Sequence, residues 1–204
     1  SQDFDPFDFI SLKEAKRMAR FSQFAVAAAL QAIEHAKLEI NHKNTFNIGI
    51  ILGNGYGGLP NMEEGCNELL NKNNSRVSPL FFPMILPNMA AANISRIFGF
   101  HGYNSTVSTA CAASNQAIGE SLAVLRRGDA EVMLTGGTEA GISKIGLAGF
   151  CAMRALSTNN MVPEKASRPF DLKRDGFIPS EGSGILVLET LENDDDVQNI
   201  FTNL

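Results

Sequence analysis

Apolar residues first recur at helical spacing along this chain and later gather into short continuous runs. The helical spacing starts after a capping box at residues 11–14 and continues to about residue 37, which predicts one long buried helix. A continuous β-branched run at residues 48–52 ends at a cluster of glycines, as in a strand that is covered on both faces. The chain is therefore expected to begin with a helix and a buried strand.

A β-α-β unit follows further along the chain. Strands are predicted at residues 105–108 and 131–135, and they flank a helix predicted at residues 112–127. A last strand is predicted at residues 185–189, after a segment rich in glycine, proline and charge at residues 157–184. Strands that alternate with helices indicate a layered α/β domain.

Cys111 lies where the strand at 105–108 meets the small residues that open the helix at 112–127. At a helix N-terminus the unpaired N–H groups and the positive end of the dipole favour a thiolate, which is the nucleophilic form of cysteine. The alternative is a small buried core residue, since free cysteine often has that role. The pattern alone leaves both interpretations open.

The glycine cluster at residues 53–58 satisfies the pattern GxGxxG directly after a strand. A nucleotide-binding oxidoreductase is therefore one candidate. A dinucleotide fold also needs a second strand that ends in an acidic residue, whereas residues 71–75 form a polar, turn-like stretch. A tight turn beside a pocket, with Tyr56 placed in that pocket, is the preferred interpretation.

Composition narrows the class of protein. The chain has 204 residues, 44% of them hydrophobic, a net charge of -5, and apolar runs far shorter than a membrane-spanning helix needs. Its three cysteines are widely spaced, which disfavours a disulfide framework and a metal site. The acidic balance disfavours a nucleic-acid partner. These features predict a globular cytoplasmic protein.

Several motifs, taken in order, resemble a β-ketoacyl-acyl-carrier-protein synthase. More narrowly, they are similar to the type I and type II condensing enzymes of fatty acid synthesis and to their polyketide relatives. The resemblance runs from about residue 11 to residue 189. It is carried by residues 53–58, 107–114, 134–139, 149–158, 167–171, 174–177 and 181–189.

This resemblance implies a thiolase-like fold of two similar halves, of which the chain has the N-terminal one. It also implies an acyltransferase that holds an acyl group on Cys111 and condenses it with malonyl-acyl-carrier protein to a 3-oxoacyl product. The Cys111 N–H matches one oxyanion-hole donor. No metal or cofactor is implied, because the acyl carrier protein supplies the phosphopantetheine arm.

Further site residues follow from the resemblance. Tyr56 matches a pocket gate, Phe150 lies near the acyl channel, and Phe81 matches a subunit interface from which it would reach the channel of a partner in a homodimer. Lys13, Lys16 and Arg17 share one helix face by their spacing, which would suit docking of an acidic carrier protein. Arg76 and Arg154 match family positions for carrier-protein or phosphopantetheine contacts. Solvated surface charge is the alternative for all five.

The departures from the family pattern matter too. His35, His42 and His101 lie in none of the motifs that carry the family's catalytic histidines, and the family's opening strand has no counterpart. We expect a ketosynthase domain at 1–189, a divergent acidic tail at 190–204, and a fragment that transfers acyl groups without condensing them. The chain would be poorly soluble unless a second chain covers the face left by the missing half.

A non-condensing chain-length partner is an alternative function, although such subunits usually lack the cysteine. Acyl length and the choice between fatty acid and polyketide pathways stay open.

Overall fold

The computed structural model describes residues 4–71 and 76–190. Its strands are β1 (Ile48–Gly53), β2 (Asn104–Val107), β3 (Val132–Glu139) and β4 (Gly182–Glu189). Its helices are α1 (Leu12–Ala15), α2 (Arg20–His35), α3 (Leu59–Asn71), α4 (Phe81–Ile85), α5 (Met89–Phe98), α6 (Ala113–Arg127) and α7 (Lys144–Ala152).

The strands form one mixed sheet in the order β2-β1-β3-β4. β1 is parallel to both β2 and β3, and β4 runs antiparallel to β3. The β2-α6-β3 unit is a parallel crossover that passes over β1, so the predicted β-α-β unit is confirmed. Its two strands are not neighbours in the sheet.

Helices cover both faces of this sheet. Ile50 and Leu52 of β1 pack with α2 and α5, whereas Ile51 and Met133 pack with α6 on the opposite face. Every residue of β1 is buried, as the continuous apolar run predicted. The layered α/β class predicted from the sequence is confirmed.

The prediction of one helix from residue 11 to 37 was wrong, since the chain breaks between α1 and α2. Ser11 does cap the start of α1, with its Oγ accepting from Glu14 N. The Gln23 amide donates to the carbonyls of Ala15 and Met18 at 2.9 and 3.2 Å. This side chain satisfies groups that a continuous helix would have bonded internally, so the break is stable.

β3 and β4 are longer than predicted because each continues through glycines. β3 extends past Thr135 to Glu139, and its final residue pairs with Gly182 of β4. Gly136 has φ of +142° and lies against the Gly184 backbone, an approach that a side chain would block. Pairing with β4 holds these glycines extended, against their low strand propensity.

Helices α3, α4, α5 and α7 were not predicted. The polar stretch at 71–75 and the tail at 190–204 lie outside the described residues, apart from Asn71 at the end of α3 and Thr190 after β4. Within the described part, no helix is long and apolar enough to cross a membrane.

Candidate active site

Cys111 lies at a sharp turn between β2 and α6. A short 3₁₀ turn, Ala110–Ala112, joins the end of β2 to the first residue of α6. The Cys111 thiol is free and exposed, so the alternative of a buried core cysteine was wrong.

The turn carries backbone strain just before the nucleophile candidate. Ala110 has φ of +50°, a left-handed conformation that costs a residue with a Cβ about 1–2 kcal/mol. No side chain caps α6 at Ala112. The Ala113 N–H donates to Ala110 O, and the N–H groups beside it at this helix start can face an anion or a polarised carbonyl next to Cys111.

Glycines press the start of α6 against the sheet. A Cβ built on Gly53 would collide with the backbone of Ala113, and one on Gly137 would collide with the side chain of Ser114. The ends of β1 and β3 thus touch the first turn of α6 directly. Gly53 packs against α6, and the glycine cluster is followed by α3, α4 and α5 before the next strand, which is not the single-helix crossover of a dinucleotide-binding unit.

A cavity of about 410 Å³ opens in front of Cys111. Its walls come from the ends of β1 and β3, the start of α6 and the start of β4. The residues that line it are Gly53, Asn54, Gly55, Tyr56, Ala110, Cys111, Ala113, Ser114, Gly137, Thr138, Glu139, Ser180, Glu181, Gly182, Ser183 and Gly184.

Glu139, at the end of β3, is a carboxylate in this wall. Its Oε2 accepts from the N–H groups of Gly55 and Tyr56 at 2.8 and 3.3 Å. Burial raises the pKa of Glu139 above its ordinary value, and the hydrogen bonds from Gly55 and Tyr56 act in the opposite direction. The net shift shows that desolvation outweighs hydrogen bonding at this carboxyl.

Tyr56 stands between the Cys111 cavity and a second, apolar pocket. Its ring meets that of Phe150 edge-on at 6.2 Å, and Phe150 meets Phe177 at 5.0 Å. Burial raises the pKa of Tyr56, with further contributions from Glu139 and Cys111. The apolar pocket has a volume of about 290 Å³ and is lined by Tyr56, Leu59, Ile145, Gly146, Gly149, Phe150 and Met153.

Other predicted residues lie outside these two cavities. Phe81, in α4, packs on Phe82 and against Gly65 of α3. The exposed basic residues are Lys13 in α1, Lys16 and Arg17 just after it, Arg76 before α4, and Arg154 after α7. Arg154 has a left-handed φ of +55°.

The histidines lie where the sequence suggested. His35 ends α2, His42 lies in a turn, and exposed His101 stacks on Phe46 with ring centroids 5.0 Å apart. None of the three lines the Cys111 cavity. Across the described residues there is also no group of His, Cys, Asp and Glu that could hold a metal ion.

Glu139, Asn54 and Phe177 had no predicted role. The available signal for Glu139 was a charged residue at the end of a buried strand, because burying a charge is costly. Nothing in the sequence pattern pointed to the hydrogen bonds of Asn54.

Comparison with known proteins identifies the family. Residues 1–194 match the family model described as Beta-ketoacyl synthase, N-terminal domain. The chain belongs to the β-ketoacyl synthases. This confirms the resemblance seen in the motifs, and the mixed, helix-covered sheet is the N-terminal half of their thiolase-like fold.

The chain spans about half the length of the relatives that it matches. The 3-oxoacyl-[acyl-carrier-protein] synthase 2 of Staphylococcus aureus is 46% identical over 192 residues, 94% of this chain and 47% of its own length. The crystal structure of a β-ketoacyl synthase from Burkholderia phymatum matches 91% of this chain and 45% of its own, at a TM-score of 0.80 and 31% identity. A type II polyketide ketosynthase was solved in complex with its acyl-carrier protein. The match covers 93% of this chain and 52% of the length of that ketosynthase, with a TM-score of 0.77 and 25% sequence identity.

Proposed function

We propose that this chain carries the acyl-accepting half of a 3-oxoacyl-[acyl-carrier-protein] synthase, with Cys111 as the nucleophile. The observation that carries the proposal is the exposed Cys111 thiol, which lies on a strained turn, beside the uncapped start of α6, and in a cavity that a thioester can enter. Family membership supports the reaction class, and the geometry supports the choice of Cys111.

The chemistry is a transfer of an acyl group between two sulfur atoms. The Cys111 thiolate attacks the carbonyl carbon of an acyl thioester, and the tetrahedral oxyanion accepts a hydrogen bond from the Cys111 N–H, the donor that the family resemblance implies. The carbon–sulfur bond to the carrier then breaks. The leaving phosphopantetheine thiolate takes up a proton, and the acyl group remains on Cys111 without any cofactor bound by this chain.

Condensation with malonyl-acyl-carrier protein needs groups that stabilise an enolate, and His35, His42 and His101 do not line the cavity. We therefore expect the 204-residue chain, taken alone, to be acylated but to form no 3-oxoacyl product. The complete reaction would use a second half like that of the relatives, which are about twice as long.

The apolar pocket fits the acyl chain. Tyr56 and Phe150 lie edge to face at its wall, so their side chains set how much of a chain can pass beyond the thioester. The exposed side chains of Lys13, Lys16 and Arg17, with Arg76 and Arg154, suit an acidic carrier protein.

Fatty acid synthesis is the favoured pathway. The 3-oxoacyl-[acyl-carrier-protein] synthase 2 of Staphylococcus aureus is 46% identical in sequence to this chain, whereas the solved polyketide ketosynthase is 25% identical. A reducing compartment such as the cytoplasm suits three exposed free thiols.

A homodimer is the proposed assembly. Within the described residues β2 pairs with β1 alone, so its outer edge can take another strand. In such a dimer Phe81 would approach the acyl channel of the other subunit. Sedimentation of the protein as a monomer at micromolar concentration would contradict this assembly.

Three exposed cysteines allow a sharp test of the nucleophile. The protein is incubated with an acyl thioester, and its intact mass and tryptic peptides are measured. We expect one acyl group on Cys111, none in Cys111→Ala, and unchanged labelling in the matched controls Cys66→Ser and Cys151→Ser. Acylation that persists in Cys111→Ala would contradict the proposal. A folded protein that is never acylated would also contradict it and would favour the alternative that the chain is a non-condensing chain-length subunit.

Docking is tested separately from chemistry. Replacing Lys16 and Arg17 with Glu should raise KM for carrier-bound acyl substrate about tenfold or more, because opposite charges become like charges. KM for a short thioester that lacks the carrier protein should stay unchanged. Equal effects on the two substrates would show that these side chains do not recognise the carrier.

A further inference from the structure

We propose that Glu139 is a positioning residue that holds Tyr56 as the barrier between the Cys111 cavity and the apolar pocket, and thereby limits the length of the acyl chain. The proposal rests on the proposed function, since it concerns the same acyl pocket. Glu139 acts through Tyr56 and does not touch the reacting atoms.

The contact is direct. Glu139 Oε2 accepts from Gly55 N at 2.8 Å and from Tyr56 N at 3.3 Å, so one carboxylate oxygen holds two successive peptide groups. Bonds to a charged acceptor are about twice as strong as neutral ones. The carboxylate therefore fixes the backbone at the residue that carries the barrier side chain.

The turn at residues 54–58 depends on such bonds because it is rich in glycine. Gly57 has φ of +60°, and a glycine-rich backbone has many conformations of similar energy. Buried Asn54 supplies the complementary bond, since its Oδ1 accepts from Gly57 N at 2.6 Å and its Nδ2 donates to Thr138 O at 2.6 Å. Together, the two side chains attach the turn to the end of β3.

The position of the turn decides where the Tyr56 ring lies. The ring packs against Gly141 on one side and meets the Phe150 edge on the other, where an apolar pocket begins. With 44% of Tyr56 exposed, these contacts bury only part of the ring. Once the backbone bonds are lost, the ring is free to leave the boundary between the two cavities.

The test compares acylation of Cys111 by thioesters of increasing chain length, in the protein as its native cell produces it. We expect Glu139→Ala to raise the ratio of long-chain to short-chain acylation rates about tenfold, the scale on which an apolar pocket discriminates chain length. Glu139→Gln keeps an acceptor oxygen and should stay within about twofold of the unchanged protein. Glu131→Ala removes a carboxylate that accepts from Asn47 just before the opposite end of β3, and should leave the ratio unchanged.

A double variant tests whether Glu139 acts through Tyr56. Tyr56→Ala should raise the ratio by itself, and Glu139→Ala should then add nothing, because the residue that it positions is gone. An unchanged ratio in folded Glu139→Ala, or an equal shift in the Tyr56→Ala background, would overturn the proposal.

Amide hydrogen exchange separates this proposal from the proposed function. In Glu139→Gln the amides of Gly55 and Tyr56 should exchange about fivefold faster, because a neutral acceptor replaces a charged one, while α2 is unaffected. Unchanged exchange at these two amides would overturn the positioning role. This test uses Glu139→Gln and therefore holds even if Glu139→Ala does not fold. A protein whose Cys111 is never acylated, yet whose Gly55 and Tyr56 amides respond, would refute the acyltransferase and leave the role of Glu139 in the turn intact.

Discussion

Two regions that border the Cys111 cavity are built in opposite ways. Where β1, β3 and α6 meet, backbones touch through Gly53 and Gly137, and β3 is buried from Val132 to Thr138. In the segment 157–181, Phe170 is fully exposed and Leu172 is 93% exposed. The first region is complete within the described chain, whereas the second presents apolar side chains that normally contact another protein surface.

The difference shows which part of the site depends on this chain alone. The meeting point of β1, β3 and α6 places Cys111 by packing. The segment 157–181 is instead held together by its own hydrogen bonds, such as those from Ser157 Oγ and Thr158 N to Asp175, and by the bridge of Leu156 with Phe177. This pattern supports the expectation that a further half, or a second chain, covers the segment.

The largest effect is expected from a substitution that disrupts the packing of β1 against α6. Gly53→Ala should destabilise the protein by about 3 kcal/mol, because the new Cβ would meet the Ala113 backbone, which cannot move aside. Gly119→Ala, in α6, is the matched control, because no atom lies near the added Cβ. It should raise the free energy of unfolding by about 0.5–1 kcal/mol. Urea unfolding measures both. Equal stability of the two variants would refute the argument from glycine contact.

A smaller effect is expected at Arg154, which lies after α7 and before the segment 157–181. Its left-handed φ suits glycine, so Arg154→Gly should raise the free energy of unfolding by about 0.5 kcal/mol. The same variant should raise KM for carrier-bound substrate if the guanidinium docks the carrier. Arg126→Gly, in the last turn of α6, is the control and should lower stability by about 1 kcal/mol. A loss of stability in Arg154→Gly would contradict the strain argument.

Phe170→Ser sharpens the contrast between the regions. In the 204-residue chain it should change stability by less than about 0.5 kcal/mol, because the ring is fully exposed, and it should raise solubility. If Phe170 is covered in the protein as its native cell produces it, Phe170→Ser should there lower the free energy of unfolding by about 2 kcal/mol or more. Thermal unfolding of both forms measures this, and a large loss in the isolated chain would contradict the exposed placement.

The smallest effects concern pH, and the two carboxyls differ in sign. Hydrogen bonds, first from Ser157, lower the pKa of Asp175, so its contribution is present above the ordinary aspartate value of about 4 and lost as pH falls through the folded pKa. Burial raises the pKa of Glu139, so its contribution is present below about 4.3 and lost as pH rises through the folded pKa.

Unfolding midpoints across this pH range test both signs. The stability deficit of Asp175→Asn should shrink as the solution becomes more acidic than about pH 4, whereas Glu139→Gln should gain stability relative to the unchanged protein as pH rises above about 4. Parallel pH profiles in the two variants would contradict the opposite shifts.

Much of the fold could be predicted from local pattern. Residues 48–52 form a strand that is buried throughout, and helix 112–127 is α6 but for its first residue, because continuous apolar runs and helical spacing are local signals. The break between α1 and α2 was missed, since it depends on Gln23 reaching Ala15 and Met18. The glycine half of β3 was missed because only pairing with β4 makes it a strand.

For the site, the sequence by itself determined the nucleophile candidate, since a cysteine between a strand and small helix-opening residues is legible in one stretch of chain. Tertiary structure alone decided that Gly53 and Gly137 admit α6, that Tyr56 divides two cavities, and that Glu139 bonds to Gly55 and Tyr56. The reason is separation along the chain. A local motif acts through neighbouring residues, whereas Glu139 and Gly55 lie 84 residues apart and meet only because β1 and β3 pair in parallel and end at the same edge of the sheet.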